Sequence, residues 1–225
     1  MASVMNGARH NGIGMTSQRT RLRMIERLRE QGIKDETVLA AMLEVPRHLF
    51  VDEAMASRAY DDVSLPINFE QTLSRPYIVA RMIEVLRAGK PLGRVLEIGA
   101  GSGYQAAVLA HVAQEVYTLE RIKPLFERAR QQLRDLKLRN VSVRYVDGSD
   151  GLPEAAPFDG IIMAAAAPVM PESLREQLAP EGRMALPVGK QEQWLYLLER
   201  EAGSFRETRL EQVKFVPLLS GKALN

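Results

Sequence analysis

The sequence of 225 residues contains no cysteine and only three histidines. The lack of cysteine excludes disulfide bonds, thiolate metal ligands and a thiol nucleophile. His10, His48 and His111 are far apart in the chain, which argues against a histidine-rich metal site. We therefore predict a protein without a bound metal.

The sequence also lacks any apolar run close to the roughly 18 residues that a membrane-spanning helix needs. Its first residues, MASVMNGARHNGIGMTSQ, have no apolar centre of the kind found in signal peptides. The net charge of +2 is too small to attract a nucleic acid through a global field. We therefore expect a cytoplasmic protein with neither a membrane nor a nucleic-acid partner.

One local cluster of positive charge lies in the segment RTRLRMIERLRE. Leu22, Ile25 and Leu28 fall at helical spacing, which predicts an amphipathic helix with a solvated basic face. An RNA- or acid-binding face is the alternative, although Glu26 and Glu30 interrupt the charge. The arginines of the cluster are Arg19, Arg21, Arg23, Arg27 and Arg29.

Helical patterns dominate the first part of the chain. The first predicted helix covers about 18–31, and the second begins after Asp35 as its N-cap and ends before Pro46. A third helix has Pro76 in its first turn, with Ser74 as the predicted cap, and ends at Gly89.

From residue 94 onward, short apolar strand segments alternate with helical segments, and the last two strands have no helix between them. Such alternation is typical of a mainly parallel sheet covered by helices on both faces, here closed by an antiparallel hairpin. The sequence therefore predicts an α/β doubly wound, Rossmann-like sheet of about seven strands with an N-terminal helical addition. The predicted strands are 94–98, 115–120, 141–146, 158–164, 183–188, WLYLLER and RLEQVKFVPL.

A glycine-rich loop, GAGSG, lies between the first strand of this sheet and its helix. Gly99, Gly101 and Gly103 permit a tight turn and the close approach of a ligand to the backbone. Glu120 ends the second strand, where an acidic side chain accepts hydrogen bonds from ribose hydroxyls. The glycine-rich loop, its place between a strand and a helix, and the acidic side chain of Glu120 together predict a nucleoside-containing ligand.

Two further acidic positions favour a cationic ligand over a dinucleotide. The dinucleotide pattern G-x-G-x-x-G requires a third glycine at position 104, which is tyrosine. Glu97 would repel a pyrophosphate but suits a ligand with an amino group, and Asp147-Gly148 is placed to bind an adenine amino group. Together these residues favour S-adenosylmethionine over NAD. The alternatives are a turn-forming role for Asp147, and an exposed strand end or a structural ion pair for Glu97.

Two segments ahead of the glycine-rich loop, VPRHLFV (45–51) and QTLSRPYIVARM (71–82), carry a further resemblance. QTLSRPYIVARM is similar to the Gln-Thr-x-Ser-x-Pro signature of the protein-L-isoaspartate O-methyltransferase family, and VPRHLFV to the upstream block of that family. The resemblance covers about residues 18–221. VLEIGAGSGYQAAVLA, FDGIIMAAAAP and FVPLLSG match in order and spacing. The sequence departs from the family at Asn68 and Glu70, where glycines are usual.

The resemblance implies a monomeric cytosolic enzyme that uses S-adenosylmethionine and no metal. Its substrates would be the free α-carboxylates of L-isoaspartyl residues in damaged proteins and peptides. Ser74 is implied as the active-site residue with Thr72 beside it, and Gln71 and Val216 as substrate-binding residues. The predicted donor-binding residues are Glu97, Gly99, Ala100, Gly101, Gly103, Glu120, Asp147 and Gly148.

The implied chemistry agrees with the residues present. A carboxylate has a pKa of about 4 and is already ionised at neutral pH, so its methylation needs no strong general base. Neutral hydroxyls such as those of Thr72 and Ser74 would orient the carboxylate without lowering its nucleophilicity. Methyl transfer to RNA or a small molecule, and a non-catalytic donor-binding relative, remain the competing hypotheses.

The predicted domain organisation has a flexible N-terminal arm, residues 1–17, followed by a single methyltransferase domain, residues 18–225. Within that domain, residues 18–90 supply the helices and the substrate loop, and residues 91–225 the donor-binding core.

Overall fold

The structure, a computed structural model, describes residue 12 and residues 14–224. Most of the predicted N-terminal arm therefore lies outside the described residues, and Gly14–Thr16 form one 3-10 turn. No helix in this described part of the chain is long and apolar enough to cross a membrane.

Two helices open the domain, α1 (Gln18–Glu30) and α2 (Glu36–Glu44). Asp35 is the N-cap of α2, as predicted, and its side chain accepts hydrogen bonds from the backbone N–H groups of Thr37 and Val38. The predicted apolar face of α1 is partly wrong, because Leu22 is 43% exposed and Arg21 is buried instead. The buried face of α1 consists of Arg21, Met24, Ile25 and Leu28.

The segment between α2 and the glycine-rich loop contains a small hairpin that the sequence did not predict. Two 3-10 helices, Arg47–Phe50 and Glu53–Arg58, lead into strands β1 (Leu65–Pro66) and β2 (Thr72–Leu73). The two strands pair in antiparallel register, with Leu65 opposite Leu73. Helix α3 (Pro76–Arg87) follows and buries its apolar face, and Ala88 ends it in a left-handed conformation.

The central sheet has seven strands, which confirms the predicted fold class. Their order is β5-β4-β3-β6-β7-β8-β9, with β3 to β7 parallel and β8 and β9 antiparallel. The remaining helices are α4 (Tyr104–Ala110), α5 (Lys123–Asp135) and α6 (Glu172–Arg175). The strands are β3 (Leu92–Ile98), β4 (Ala113–Glu120), β5 (Val141–Tyr145), β6 (Phe158–Met163), β7 (Leu178–Val188), β8 (Gln193–Glu201) and β9 (Ser204–Val213).

The structure differs from the sequence-based prediction around α6. The pattern PESLREQLA predicts a helix of about two turns, but α6 has four residues and β7 begins at Leu178. Just after the helix, the side chain of Gln177 hydrogen-bonds the backbone of Asp150, Leu152 and Ser173. These bonds fix the chain where the extended β7 begins.

Strand β3 determines where a ligand is expected to bind. It pairs with β4 on one side and with β6 on the other. The strand order therefore runs outward from β3 in both directions, first to β4 and β5 and then to β6 and β7. In open α/β sheets, ligands bind in the crevice at the carboxyl ends of the strands at such a switch point. The glycine-rich loop follows the carboxyl end of β3.

Candidate active site

A cavity lies at the carboxyl ends of β3 and β4. It contains about 870 Å³ of empty space, its open mouth included. Three segments enclose it: the glycine-rich loop, the chain from β2 to α3, and residues 216–219. Of the predicted site residues, Gln71, Thr72, Ser74, Gly99, Ala100, Gly101, Glu120, Gly148 and Val216 line this cavity, whereas Glu97, Gly103 and Asp147 do not.

The glycine-rich loop turns back over the end of β4. The backbone N–H groups of Gly99 and Ala100 both donate to the carbonyl of Leu119, at 2.9 Å each. Gly101 has φ +55°, and a Cβ atom at this position would lie 3.1 Å from Ile67 Cδ1 of the neighbouring hairpin. Gly103 serves packing, because a Cβ atom there would lie 3.3 Å from Ala129 Cβ in α5. The loop therefore presents bare backbone to the cavity.

Glu120 joins this loop to the end of β4. One oxygen of its carboxylate accepts the N–H of Gly101 and the other accepts the N–H of Ile122, both at 2.8 Å. Burial raises the pKa of Glu120, and the two backbone donors offset part of that rise. A carboxylate has about four acceptor positions, so Glu120 keeps capacity for the hydroxyl groups of a ribose.

Glu97 lies within β3, where it is fully buried. Thr118 donates a hydrogen bond to one of its oxygens, and the other oxygen, Oε1, has no hydrogen-bond partner among the described residues. Burial raises the pKa of Glu97 to about 8, although the hydrogen bond from Thr118 favours the ionised form. Glu97 is therefore neither an exposed strand end nor a member of an ion pair within the described chain.

The raised pKa of Glu97 predicts a pH-dependent stability. Because the folded protein keeps this proton up to about pH 8, whereas the ordinary pKa is 4.5, the unfolded chain binds fewer protons between these values. Glu97 therefore contributes a fall in the free energy of unfolding as pH rises through this window, by up to roughly 1.4 kcal/mol per pH unit. We expect Glu97→Gln to show a smaller decline than the wild type in urea unfolding without ligand, whereas Glu30→Gln on the exposed face of α1 keeps the wild-type decline. Equal slopes for the wild type and Glu97→Gln would contradict the assignment.

Asp147 follows β5 and is held by the C-terminal segment. Its carboxylate accepts hydrogen bonds from Ser149, at 2.9 Å from the backbone nitrogen and 2.6 Å from the hydroxyl, and from the N–H of Gly221. Burial alone raises its pKa, but these hydrogen bonds outweigh it and hold the pKa below its usual range. This is the turn-forming role that the sequence left open. The predicted role of Asp147 toward adenine stays a prediction.

Ser74 lies where the cavity meets the start of α3. The prediction that Ser74 caps this helix is wrong, because Arg75 is the N-cap residue and no side chain caps the end. Within the described residues, no hydrogen bond is made by the Ser74 hydroxyl, while its carbonyl accepts one from Arg47 Nη2 at 2.7 Å. The hydroxyl thus remains available to a ligand in the cavity.

Arg47 is a fully buried cation that sequence reasoning did not select. Its Nε donates to the carbonyl of Ala59 at 2.7 Å, and its guanidinium lies 4.7 Å from the ring centroid of Tyr104. Because Tyr104 directly follows the glycine-rich loop, Arg47 links the Ser74 segment to the donor side of the cavity. An arginine within the mainly apolar VPRHLFV block was the available signal.

Ser102 and Gln105 also line the cavity, although the sequence did not predict them as site residues. Both are buried, and Ser102 Oγ and Gln105 Nε2 have no hydrogen-bond partner among the described residues. Unpaired buried polar groups are costly, so such atoms beside a cavity indicate a polar ligand. Their positions inside and just after the GAGSG segment were the signal available in the sequence.

The hairpin tip places three consecutive non-glycine residues in the left-handed region. Asn68, Phe69 and Glu70 have φ angles of 74°, 53° and 57°. Asparagine tolerates this conformation, and the side chain of Asn68 donates to Asp52 at 3.0 Å. Glu70 is exposed and does not line the cavity, whereas Gln71 next to it does. The extra carboxylate therefore lies outside the cavity wall.

The left-handed conformation at Glu70 predicts that glycine is preferred there. A non-glycine residue in this region destabilises the folded state by about 1–2 kcal/mol. Glycine removes that penalty, but its greater backbone freedom stabilises the unfolded state by roughly 0.5–1 kcal/mol. We expect Glu70→Gly to raise the free energy of unfolding by about 1 kcal/mol in urea titrations. Glu70→Ala is the matched control, since it removes the charge but keeps the strained backbone. Equal stability of the two variants would contradict this explanation.

The fold and the cavity together define the class of protein. A ligand with ribose hydroxyls and an amino group fits the bare loop backbone, the spare acceptor capacity of Glu120, and the unpaired Ser102 Oγ and Gln105 Nε2. Within the described part of the chain, no group of three or more His, Asp or Glu is placed to hold a metal. The protein is an S-adenosylmethionine-dependent methyltransferase with the class I fold. A profile of the family "Protein-L-isoaspartate(D-aspartate) O-methyltransferase" matches residues 19–223, and the chain belongs to this family.

Individual relatives agree with this assignment. A protein-L-isoaspartate O-methyltransferase of Methylobacillus flagellatus is 60% identical over 221 residues, covering 96% of this chain and 99% of the relative. One of Aromatoleum aromaticum is 62% identical over 208 residues, covering 92% and 95%. A crystal structure of a putative family member from Plasmodium falciparum, in complex with S-adenosyl-L-homocysteine, has a TM-score of 0.73 and 29% identity. It covers 88% of this chain and 97% of that one.

Proposed function

We propose that this protein transfers a methyl group from S-adenosylmethionine to the free α-carboxylate of L-isoaspartyl residues in damaged proteins and peptides. The resulting ester collapses to a succinimide, which reopens in part to normal aspartate, so that the reaction initiates repair. Family membership and the names of relatives about 60% identical along nearly the whole chain support this proposal.

One structural observation carries the proposal. The Gln71–Ser74 segment and the glycine-rich loop line the same cavity. The side of the cavity formed by Gln71 to Ser74 carries no ionisable side chain. A site of this kind suits an acceptor that is already an anion, because such an acceptor needs orientation rather than deprotonation.

The residues of the chain then have separate tasks. When bound, S-adenosylmethionine supplies a methyl group that is electrophilic because it is attached to a sulfonium. We assign Glu120, the Gly99–Gly101 backbone and Gly148 to the nucleoside side, with Glu97 near the amino group. Ser74, with Thr72 beside it, donates neutral hydrogen bonds that orient the acceptor carboxylate, and Gln71 and Val216 contact the substrate. Holding the two reactants in line is worth on the order of 7–11 kcal/mol of the barrier.

The proposal extends to the organisation of the protein. We propose a monomeric, cytoplasmic enzyme whose partners are isoaspartyl-containing proteins and peptides, with no nucleic-acid or membrane partner. Residues 18–225 act as one methyltransferase domain behind an N-terminal arm, 1–17. The small net charge of +2 supports the absence of a nucleic-acid partner.

The test is transfer of a labelled methyl group to an isoaspartyl peptide, beside the same peptide with normal aspartate. We expect base-labile label on the isoaspartyl peptide alone. Donor binding without any transfer would favour the non-catalytic alternative, and transfer to RNA or to a small molecule would favour the other competing hypothesis. Label on both peptides alike would contradict recognition of the isoaspartyl linkage.

A further inference from the structure

A second groove adjoins the donor cavity at Ser74. It is open to solvent and contains about 1880 Å³ of empty space, its open side included. Ser74, Pro217 and Leu218 line both the groove and the cavity. Under the proposed function, the acceptor carboxylate lies at Ser74, so the groove holds the polypeptide on either side of the isoaspartyl residue.

The charged side chains that line this groove all have the same sign. They are Arg75, Lys190 and Lys214, and no aspartate or glutamate belongs to the described lining. Arg75 is partly neutralised, because its Nη1 lies 3.7 Å from Asp62 Oδ2. Lys190 and Lys214 are exposed and make no ion pair with any residue that the structure describes. Two free cations therefore face the groove.

Acidic side chains near the groove leave this charge largely uncompensated. Glu211, which precedes the Gln212–Lys214 lining, is engaged by Arg81 at 3.5 Å and by the hydroxyl of Tyr77 at 3.2 Å. Glu192 lies two residues after Lys190, is exposed and does not line the groove. The groove thus presents net positive charge to a bound chain.

We propose that Lys190 and Lys214 make this enzyme prefer isoaspartyl substrates whose neighbouring residues are acidic. The inference rests on the proposed function and adds a charge preference to it. An opposite charge about 4 Å away in water strengthens binding about fivefold, and a like charge weakens it by a similar factor. Because these lysines would contact residues that do not react, the preference acts through KM more than through kcat.

The test compares isoaspartyl peptides that differ only in having glutamate, glutamine or lysine on both sides of the isoaspartyl residue. For the wild type at low salt, we expect kcat/KM to be about 25-fold higher for the glutamate peptide than for the lysine peptide, about fivefold from attraction and about fivefold from repulsion. The ratio should shrink as salt is added, because exposed charges are screened.

Charge reversal identifies the residues responsible. In the double variant Lys190→Glu/Lys214→Glu, KM should rise for the glutamate peptide and fall for the lysine peptide, which a folding defect does not produce. Lys90→Glu is the matched control, since Lys90 is an exposed lysine that lines neither the groove nor the cavity. Binding of S-adenosylhomocysteine verifies that each variant is folded.

Two results would overturn the inference. A wild-type ratio of one or less, or a ratio that the double variant leaves unchanged, removes the role of the two lysines while the proposed function stands. If no isoaspartyl peptide is methylated although S-adenosylhomocysteine binds, the proposed function fails and the charge preference falls with it.

Discussion

Replacing Ser74 by alanine is expected to lower kcat for methylation of an isoaspartyl peptide by roughly 100-fold, the usual effect of removing one preorganised hydrogen-bond donor. The hydroxyl makes no hydrogen bond within the described residues and lines both the cavity and the groove. Its loss therefore removes an interaction with the acceptor and no bond that holds the fold. The measurement is steady-state kinetics with the donor saturating.

Two companion variants separate this role from a structural one. Ser64→Ala removes a serine that lines the groove but not the cavity, and we expect a much smaller loss of activity. Ser74→Thr keeps a hydroxyl and should retain more activity than Ser74→Ala. Undiminished turnover of Ser74→Ala would refute the assignment of Ser74 as the residue that orients the carboxylate.

The second large effect is expected from Glu120→Gln. Both carboxylate oxygens accept backbone N–H groups, from Gly101 and Ile122 at 2.8 Å. An amide of the same shape offers only one acceptor atom, so its NH₂ group must face one of these donors. A hydrogen bond to a charged group is worth about 1.5–3 kcal/mol, and the nearby loop loses its anchor as well. We expect the affinity for S-adenosylhomocysteine to fall about 100-fold in calorimetric titrations.

Glu115→Gln provides the control for that experiment. Glu115 belongs to the same strand, β4, but its side chain is 45% exposed and pairs with Arg94 away from the cavity. We expect its affinity for S-adenosylhomocysteine to equal that of the wild type. An unchanged affinity in Glu120→Gln would show that Glu120 does not support the donor site.

The local parts of the fold were predictable from sequence, because their signals lie within one segment. Alternating apolar strands and helices gave the seven-stranded sheet, and Asp35 was identified as a cap from its neighbours alone. One failure within these elements has a tertiary cause. Leu22 and Arg21 are adjacent on α1, and only the tertiary packing decides which of the two turns inward.

The parts of the site that the sequence could not supply depend on distant partners. Asp147 binds Gly221, and Arg47 binds the carbonyls of Ala59 and Ser74; neither pairing leaves a pattern in the sequence. The same holds for Lys190 and Lys214, which meet across one groove only after β7, β8 and β9 have assembled. The composition indicates a nearly balanced net charge, whereas the fold concentrates positive side chains along the groove.

The switch point at β3 has a consequence for the order of folding. Ile98, at the rim of the donor cavity, pairs with Leu119 of the next strand and with Met163 of a strand much later in the chain. The chain segment between Ile98 and Met163 is longer than the one between Ile98 and Leu119, so closing it costs more conformational entropy. The pairing of β3 with β6 is therefore expected to form late in folding. A nascent or refolding chain therefore gains its donor site only once β6 has paired with β3. Because the donor binds that completed arrangement and not the open chain, its cellular concentration stabilises the enzyme by mass action.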